Sequence, residues 1–238
     1  MNNTAIFIPA RLASTRFPKK MLADLNGKSL IRTVYDKCVA TGLDTYVLTD
    51  SAQIKEEIPA EHVFITPYAD NGTERCAHGV EAVSGKGFFR RASGIYKSYI
   101  NVQGDMPDIT EDIILAIKQG LDEGHKVVTA YTDMAPELRT DPNSVKMIHN
   151  GTHAHWFCRA SLEYGDHHLG VYGYNWRTLV SYKSMPQSEE EKIEKLEQLR
   201  FLQNGVNINI QKVDFNGMEI NTPTDLEEWR KHNAKCRN

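Results

Sequence analysis

The sequence predicts an α/β protein in which a mostly parallel β-sheet lies between two layers of helices, a three-layer α/β/α arrangement. Short apolar runs alternate with segments of helical periodicity through the first half of the chain, and turn residues separate them. Alternating strands and helices build parallel sheets, because each helix returns the chain to the edge at which the next strand begins. The length of 238 residues suits one domain with a sizeable core.

The first half of the chain provides the clearest elements. Its predicted strands are apolar runs bounded by turn residues: 4–10, 45–50, 62–66, 98–103 and 126–132. Its predicted helices lie between them: 29–41, 51–58, 71–83 and 109–124. Leu30 and Val34 recur at helical spacing in the first helix, and Gly42 follows as a C-terminal cap. Ser51 and Thr110 are the expected N-caps of two further helices.

The second half of the chain is less regular. Predicted strands cover 144–150, 153–160, 169–175 and 206–214, and predicted helices cover 175–184, 188–205 and 222–235. In the helix at 188–205, the residues Ile193, Leu196 and Leu199 are expected to form an apolar stripe. Thr222 and Pro223 are typical of a helix start, so the last helix is predicted to begin there.

Composition and charge exclude several classes of protein. Hydrophobic residues make up 40% of the chain and charged residues 25%, which is ordinary for a globular protein. The net charge of −3 argues against a general binder of nucleic acid or of anionic membranes, since such binders need a basic excess. No apolar run is long enough for a membrane span, and no signal peptide is evident at the start. The cysteines are far apart, so neither a disulfide framework nor a zinc site is expected, and a cytoplasmic location is predicted.

The loop after the first strand concentrates positive charge. The stretch IFIPARLASTRFPKKML, residues 6–22, contains Arg11, Arg16, Lys19 and Lys20 and no acidic residue. An isolated cluster of this kind is usually a solvated surface loop. Ligands of parallel sheets, however, bind beyond the carboxyl ends of the strands, and this loop follows the first strand directly. Its position therefore favours a phosphate-binding site.

Three further stretches carry polar residues at strand or helix ends. NVQGDMP (101–107) presents Asp105 directly after a strand, either as a cap for the next helix or as a ligand of Mg²⁺ beside phosphates. DNGTERCAH (70–78) reads as a helix cap, with backbone groups that are also able to read the edge of a base. Several histidines lie between positions 149 and 168, but no firm ligand spacing indicates a zinc site.

Taken together, these motifs resemble those of the 3-deoxy-manno-octulosonate cytidylyltransferases, also called CMP-Kdo synthetases. The resemblance runs in order over nearly the whole chain and is carried by IPARLASTRFPKKML, NGTER, NVQGD, HLGVYGY, LEQLR and INTPTDLEEW. It implies a Rossmann-like nucleotidyltransferase with a smaller sugar-binding and dimerisation region, and usually a homodimer. It also implies Mg²⁺-dependent coupling of CTP to an eight-carbon 3-deoxy-keto-acid sugar, giving CMP-sugar and pyrophosphate.

The resemblance divides the single domain, residues 1–238, into three parts. Residues 1–132 would bind the nucleotide, 133–214 would form the sugar side and the dimer surface, and 215–238 would return to the main domain. The residues carried over to the nucleotide are Arg11, Ser14 and Lys20 at the phosphates and Gly72, Arg75 and Gln103 near the cytidine. Those carried over to the sugar acid are Arg159, His168, Glu197 and Gln198. Asp105 would bind Mg²⁺, Asn221 stands at the second metal position, and Arg11, Lys20 and Asp105 would be catalytic.

This chain departs from the family pattern at several positions. Lys19 replaces a glycine, Met106 replaces a glutamate, and Asn221 replaces the second metal-binding aspartate. Lys19 is either an ordinary exposed lysine or an extra phosphate contact. Asn221 can still offer a carbonyl oxygen, and Glu219 or substrate oxygens are alternative sources of the missing ligand.

A further departure shortens the chain on the sugar side. The segment between Arg159 and His168 is shorter than in the family. Alternative acceptors are therefore an 8-amino variant of the sugar or a sialic-type acid. A third hypothesis is a nucleotide-binding homologue with impaired catalysis.

Overall fold

In the computed structural model, which describes residues 3–84 and 96–235, the strands form one nine-stranded mixed sheet. The strands are β1 Thr4–Ala10, β2 Asp44–Thr49, β3 Val63–Ile65, β4 Ser98–Asn101, β5 Val127–Thr132, β6 Lys146–His149, β7 Ala154–Cys158, β8 Asp166–Asn175 and β9 Asn209–Lys212. The helices are α1 Leu30–Ala40, α2 Ala52–Glu56, α3 Gly72–Ser84, α4 Glu111–Asp122, α5 Trp176–Ser181, α6 Glu189–Glu194, α7 Leu199–Gln203 and α8 Pro223–Lys235. No helix within the described ranges is both long and apolar enough to cross a membrane.

The main sheet has the order β3-β2-β1-β4-β8-β5-β9. The first four of these strands pair in parallel, and β8 runs antiparallel between β4 and β5. The hairpin of β6 and β7 attaches to the beginning of β8. The carboxyl ends of β1 to β4 therefore meet at one edge of the sheet, where the basic loop and the loop after β4 begin.

Helices cover both faces of this sheet, which confirms the predicted α/β class. Ile6 and Ile8 of β1 join the core beneath α1, α4 and α8, whereas Phe7 joins the core beneath α3, α5 and α7. Every residue of β1 is buried. A strand with both faces covered must be apolar on both faces, which explains why β1 reads as an unbroken apolar run.

Most of the predicted helix ends are confirmed by the local hydrogen bonds. The side chains of Ser51, Thr110 and Thr222 accept from backbone amides in the first turns of α2, α4 and α8. Gly42 follows α1 with a φ of 73°, a left-handed conformation that glycine adopts at low cost. Among the cysteines, Cys236 lies outside the described residues.

The predicted helix at 188–205 is wrong as a single element. Lys195 adopts a φ of 54°, so the helix ends there, and α7 begins at Leu199. Ile193 is 76% exposed and does not belong to the apolar stripe, whereas Leu196 and Leu199 are buried. Hydrophobic periodicity could not reveal this break, because a left-handed residue changes the direction of the chain without changing its pattern.

Other element boundaries differ from the prediction by several residues. β8 begins at Asp166 rather than at 169, directly after Gly165, which has a φ of 95°. β9 covers only Asn209–Lys212 of the predicted strand at 206–214. β8 and β9 belong to the part of the chain expected to form the sugar side, yet both lie in the main sheet. The part of the chain expected to form the sugar side therefore shares one sheet with the part expected to bind the nucleotide.

Candidate active site

A cavity of about 660 Å³ lies at the carboxyl edge of the parallel strands. Its lining comes mainly from the loops after β1 and β4, the beginning of α3, α6 with the connection that follows it, and Asn221, two positions before α8. The residues predicted to bind the nucleotide, together with the predicted metal ligand Asp105, all line this cavity: Arg11, Ser14, Lys20, Gly72, Arg75, Gln103 and Asp105. Asn221 lines the same cavity.

Lys20 and Asp105 form the closest charged contact in this cavity. The Lys20 Nζ atom donates to Asp105 Oδ2 over 2.6 Å, and the lysine is only 8% exposed. Two features bring them together. A left-handed turn at Lys19, with a φ of 55°, leads into a 3₁₀ turn at Lys20–Leu22. Gly104 permits close approach, because a Cβ there would lie 2.9 Å from the Met21 Sδ atom.

Arg11 and Ser14 lie on the more open side of the cavity. Arg11 is exposed and Ser14 is half-buried, so both are accessible to a ligand. With Lys20 they place two cations and a hydroxyl on one side of the cavity. Charged and hydroxyl donors of this kind suit phosphate oxygens.

The beginning of α3 forms another wall. Asn71 caps the helix by accepting from the Glu74 amide over 2.9 Å, and Glu74 accepts from the Asp70 amide over 2.7 Å. The capping interpretation is therefore correct. Gly72 also leaves room for a neighbour, since a Cβ there would lie 2.9 Å from Gln103 Nε2. The cap thus positions backbone and amide groups at the cavity surface.

Arg75 lies at the cavity but is held by the protein. Its guanidinium donates to Asp50 Oδ2 over 2.7 Å and to Thr66 Oγ1 over 2.8 Å, and the residue is 3% exposed. Asp50 follows β2 and Thr66 follows β3. Arg75 therefore joins the ends of two strands to α3, in addition to lining the cavity.

A second cavity of about 180 Å³ adjoins the first. The four residues predicted to bind the sugar acid all line it: Arg159, His168, Glu197 and Gln198. Gln103, Glu197 and Asn221 line both cavities, so the two are continuous. The structure brings the predicted nucleotide and sugar residues into adjoining spaces, although they are up to 187 positions apart in sequence.

Glu197 and Gln198 lie in the connection between α6 and α7. Glu197 Oε1 accepts from both the amide and the hydroxyl of Thr73, over 2.9 and 2.8 Å. Desolvation raises the pKa of Glu197, and the bonds from Thr73 act in the opposite direction. Gln198 is buried, and its Nε2 group has no hydrogen-bond partner within the described part of the chain. An unpaired buried donor beside a cavity favours a ligand with an acceptor oxygen.

His168 is buried between β5 and the second cavity. Thr129 Oγ1 lies 3.0 Å from His168 Nε2 and donates to the Val171 carbonyl over 2.8 Å. Because the hydroxyl has a single proton, His168 Nε2 is the donor to it, and Nδ1 carries the lone pair. Burial lowers the pKa of His168 to about 3. The ring is therefore neutral at physiological pH.

Arg159 is fixed by its neighbours at the rim of the second cavity. Its Nε donates to the Glu194 carbonyl over 3.1 Å, and its amide donates to Glu194 Oε2 over 2.8 Å. Its Nη1 group donates to the Pro142 carbonyl over 3.0 Å. These bonds hold a guanidinium, a suitable partner for a carboxylate, beside the cavity.

Several charged residues that line the two cavities were not among the residues assigned to the site, among them Arg16, Lys195 and Glu219. Arg16 and Lys195 line both cavities, and Glu219 lines the second. Arg16 was visible as part of the basic loop. Nothing in the sequence pattern indicated Lys195 as a site residue. It reaches the cavities because α6 ends at this left-handed residue, and that break was not predicted. From the sequence, Glu219 was recognisable only as an alternative source of the ligand that Asn221 replaces.

Glu219 is reached by water and yet surrounded by protein. Its side chain is exposed toward the cavity, while the enclosing protein desolvates the carboxylate and raises its pKa to about 7. The neighbouring Asp105 carboxylate raises the pKa further, and Lys20 and a hydrogen bond from Asn221 lower it. The Glu219 and Asp105 carboxylates are therefore close enough to interact electrostatically.

The oxygen groups here fit a hard divalent cation. Asp105, Glu219 and Asn221 offer carboxylate and amide oxygens, the donors that Mg²⁺ prefers. Within residues 3–84 and 96–235, no three His, Cys, Asp or Glu residues are grouped so as to hold a metal by themselves.

Comparisons with known proteins agree with this geometry. A family described as Cytidylyltransferase matches residues 5–210. A 3-deoxy-manno-octulosonate cytidylyltransferase of Methylorubrum extorquens (strain PA1) is 36% identical over 245 residues, covering 97% of this chain and 96% of the relative. One from Porphyromonas gingivalis is 32% identical over 252 residues, covering 96% of each.

Solved structures lead to the same family. A CMP:2-keto-3-deoxy-manno-octonic acid synthetase complexed with CTP superposes with a TM-score of 0.85 at 29% identity, covering 98% of this chain and 99% of the other. A 4-diphosphocytidyl-2C-methyl-D-erythritol synthase from Anaerococcus prevotii shares the fold alone, with a TM-score of 0.62 at 11% identity. With its strand-edge cavity and near full-length similarity, the chain belongs to the cytidylyltransferase family, among the nucleotidyltransferases related to 3-deoxy-manno-octulosonate cytidylyltransferase.

Proposed function

We propose that this chain transfers the cytidylyl group of CTP to 3-deoxy-manno-octulosonate, giving the CMP-sugar and pyrophosphate. The observation that carries the proposal is the pair of adjoining cavities, one lined by Arg11, Lys20 and Asp105 and the other by Arg159 and His168. Both relatives named above, and the synthetase solved with CTP, carry this sugar in their names and match nearly the full length of the chain.

In the proposed reaction, the anomeric oxygen of the sugar forms a bond to the α-phosphorus of CTP. The bond from that phosphorus to the bridging oxygen breaks, pyrophosphate leaves with the electron pair, and the hydroxyl proton is released. Arg11, Ser14 and Lys20 hold the phosphates in this proposal and offset the charge that develops on the leaving group. Gly72, Arg75 and Gln103 hold the cytidine.

We also propose that the reaction uses Mg²⁺, with Asp105 as its anionic protein ligand and the region of Asn221 completing the protein side. Bound there, the ion would neutralise phosphate charge and support the attacking oxygen. The oxygen-rich donor set supports this assignment. Lys20 Nζ lies 2.6 Å from Asp105 Oδ2, and this contact holds the carboxylate in place at the cavity.

The sugar acid is proposed to bind in the second cavity. Arg159 would hold its carboxylate, and the neutral His168 would accept from a hydroxyl through Nδ1. Gln198 has an unpaired Nε2 donor for a sugar oxygen, and Glu197 is an acceptor. These donors and acceptors suit an anionic polyol better than an apolar acceptor.

The proposal extends to the oligomeric state and the location of the protein. We propose a homodimer in the cytoplasm, where CTP is available, and no binding to nucleic acid or insertion into membranes. Light scattering of the purified chain tests the dimer. Cell fractionation tests the location.

A screen for pyrophosphate release tests the main proposal. CTP and UTP are each combined with Mg²⁺ and a panel of 3-deoxy-manno-octulosonate, its 8-amino analogue and a nine-carbon sialic acid. Release that requires CTP and is fastest with the first sugar is expected. The Asp105→Asn variant should release pyrophosphate at least about a hundredfold more slowly, because the anionic metal ligand is lost.

Two other outcomes would replace the proposal with another hypothesis. Faster release with the 8-amino analogue or the sialic acid would assign a different acceptor, an alternative favoured by the short segment before His168. Retained CTP binding without release from any sugar would indicate a homologue that binds nucleotide but has lost catalysis.

A further inference from the structure

We infer that Glu219 supplies the second anionic ligand of the proposed Mg²⁺ site, and that Asn221 positions Glu219 instead of ligating the ion. The inference rests on the proposed function and deepens it. In the family pattern an aspartate at position 221 supplies this ligand. Here Asn221 replaces that aspartate, and we assign the ligand role to Glu219, two positions earlier.

The backbone places Glu219 beside the predicted metal ligand. The Ile220 amide donates to the carbonyl of Asp105 over 2.9 Å, which ties this segment to the loop after β4. Ile220 is fully buried in the core, whereas Glu219 and Asn221 on either side of it line the second cavity. The segment therefore presents both polar side chains on the side away from the core, next to Asp105.

The amide of Asn221 is already engaged at both ends. Its Oδ1 accepts from Arg16 Nη2 over 3.3 Å, and its side chain hydrogen-bonds the Glu219 carboxylate. A carboxylate only accepts, so the Asn221 amide nitrogen is the donor in that second contact. The oxygen that would bind a metal faces a guanidinium instead. Asn221 thus connects Arg16 to Glu219 and orients the carboxylate.

The charges favour Glu219 as the ligand. The Asp105 carboxylate is paired with Lys20, whereas Glu219 has no salt bridge within the described residues. Two neighbouring carboxylates repel each other unless a cation lies between them. A divalent ion bound by both would remove this repulsion. The total number of anionic protein ligands would then equal that of the family pattern, in which position 221 is an aspartate.

Glu219 is accessible from the second cavity. Gly170 of β8 lies opposite, where an added Cβ would be in ordinary van der Waals contact with Glu219 Oε1 at 3.8 Å. Glu219 is exposed and lines the cavity, so a ligand bound there can reach its side chain.

Metal binding by the full chain tests the inference without any sugar. Free Mn²⁺ is measured by electron paramagnetic resonance and Mg²⁺ by calorimetry, each with and without CTP, for Glu219→Gln and Asn221→Ala. We expect Glu219→Gln to weaken binding at least about tenfold, because it removes a charged ligand, and Asn221→Ala to weaken it by less than about threefold. The reverse order of the two effects would overturn the inference.

A double variant provides a matched control. Glu219→Gln with Asn221→Asp moves the carboxylate back to position 221 and should restore metal binding to within about threefold of the starting protein. Restoration also shows that the single variant has not failed merely by misfolding. Circular dichroism of each variant checks the fold directly. Failure of the double variant to recover, with the fold intact, would contradict the exchange of roles.

The result separates this inference from the proposed function. Absence of transfer to every sugar would refute the function and leave the metal measurements valid. Unchanged metal binding in Glu219→Gln, together with an altered KM for the sugar, would refute the inference by making Glu219 a sugar ligand. It would leave the cytidylyltransferase proposal intact.

Discussion

Single residues decide several of this chain's departures from its family, and Lys19 is the clearest. It has a φ of 55° and is exposed, in a turn where the family has glycine. A side chain in the left-handed region costs roughly 1 kcal/mol, which explains the glycine. The sequence alone leaves two interpretations of Lys19, a plain surface residue and a phosphate contact.

Replacing Lys19 by glycine distinguishes these two interpretations. We expect Lys19→Gly to raise the free energy of unfolding by about 0.5–1 kcal/mol, because the strained position is relieved. Urea denaturation measures the change, and Lys19→Ala, which keeps the Cβ, should show no gain. An unchanged KM for CTP in both variants indicates a surface lysine. A rise of several-fold in both would instead make Lys19 a phosphate contact.

The buried imidazole of His168 should make stability depend on pH. Its pKa is lowered to about 3 in the folded protein, so the unfolded chain binds the proton more readily as the pH falls below about 6.5. Stability due to this residue is therefore present above pH 6.5 and is lost as the pH decreases. Between pH 7 and 5 the loss amounts to about 2 kcal/mol.

The variant His168→Gln isolates this contribution. Urea denaturation gives the free energy of unfolding at pH 7 and at pH 5. The decrease in this free energy from pH 7 to pH 5 should be about 2 kcal/mol smaller in the variant than in the unmodified chain. Equal pH dependence in both proteins would show that His168 is protonated in the folded state or does not remain buried.

At the scale of secondary-structure elements, the break between α6 and α7 forms part of the wall of the second cavity, where the sugar is proposed to bind. Glu191 of α6 receives two hydrogen bonds from Arg200 of α7, at 2.9 and 2.6 Å, and the Glu191 side chain is 3% exposed. The Arg200 guanidinium also lies 4.2 Å from the centre of the Tyr182 ring. These contacts close the two short helices around Glu197 and Gln198.

Removing Arg200 should loosen this closure. We expect Arg200→Met to lower the free energy of unfolding by about 3 kcal/mol, because it leaves Glu191 buried without its partner. The KM for the sugar should increase more than the KM for CTP. The exposed pair of Lys118 and Asp122 on α4 provides the control, since Lys118→Met should cost less than about 0.5 kcal/mol. Equal losses in the two variants would contradict this account.

At the scale of the whole molecule, the cavity depends on parts of the chain that are distant in sequence. Loops after β1 and β4, the start of α3 and the α6–α7 connection meet only in the folded protein. A ligand that contacts all of them binds the folded state and stabilises it by mass action. Nucleotide binding should therefore be visible as a rise in the melting temperature.

Thermal denaturation with CTP and Mg²⁺ measures this linkage. At about one hundred times the Kd, CTP should stabilise the fold by about 2.7 kcal/mol, and UTP should have a smaller effect at the same concentration. The Lys20→Gln variant should lose most of the shift, whereas Lys19→Gln should retain it if Lys19 is only a surface residue. A shift that is equal for CTP, UTP and inorganic triphosphate would contradict specific recognition of cytidine.

The sequence by itself determined the α/β class, nearly all the strands and helices, and the family. These follow from local information, namely the spacing of apolar residues, the caps at Ser51 and Thr110, and motifs such as IPARLASTR and NVQGD. The basic loop could be identified as a candidate site because it directly follows the first strand, and parallel strands end at a common edge of the sheet.

Only the tertiary structure decided how β8 enters the main sheet, where the helix at 188–205 breaks, and how Asn221 is engaged. Each depends on contacts between distant segments: β8 with β4, Glu191 with Arg200, and Asn221 with Arg16. Such contacts leave no periodic trace in the sequence, because their energies are set by which segments meet and not by local spacing. Glu219 is recognisable from the sequence as an alternative ligand, but only the fold places it near Asp105.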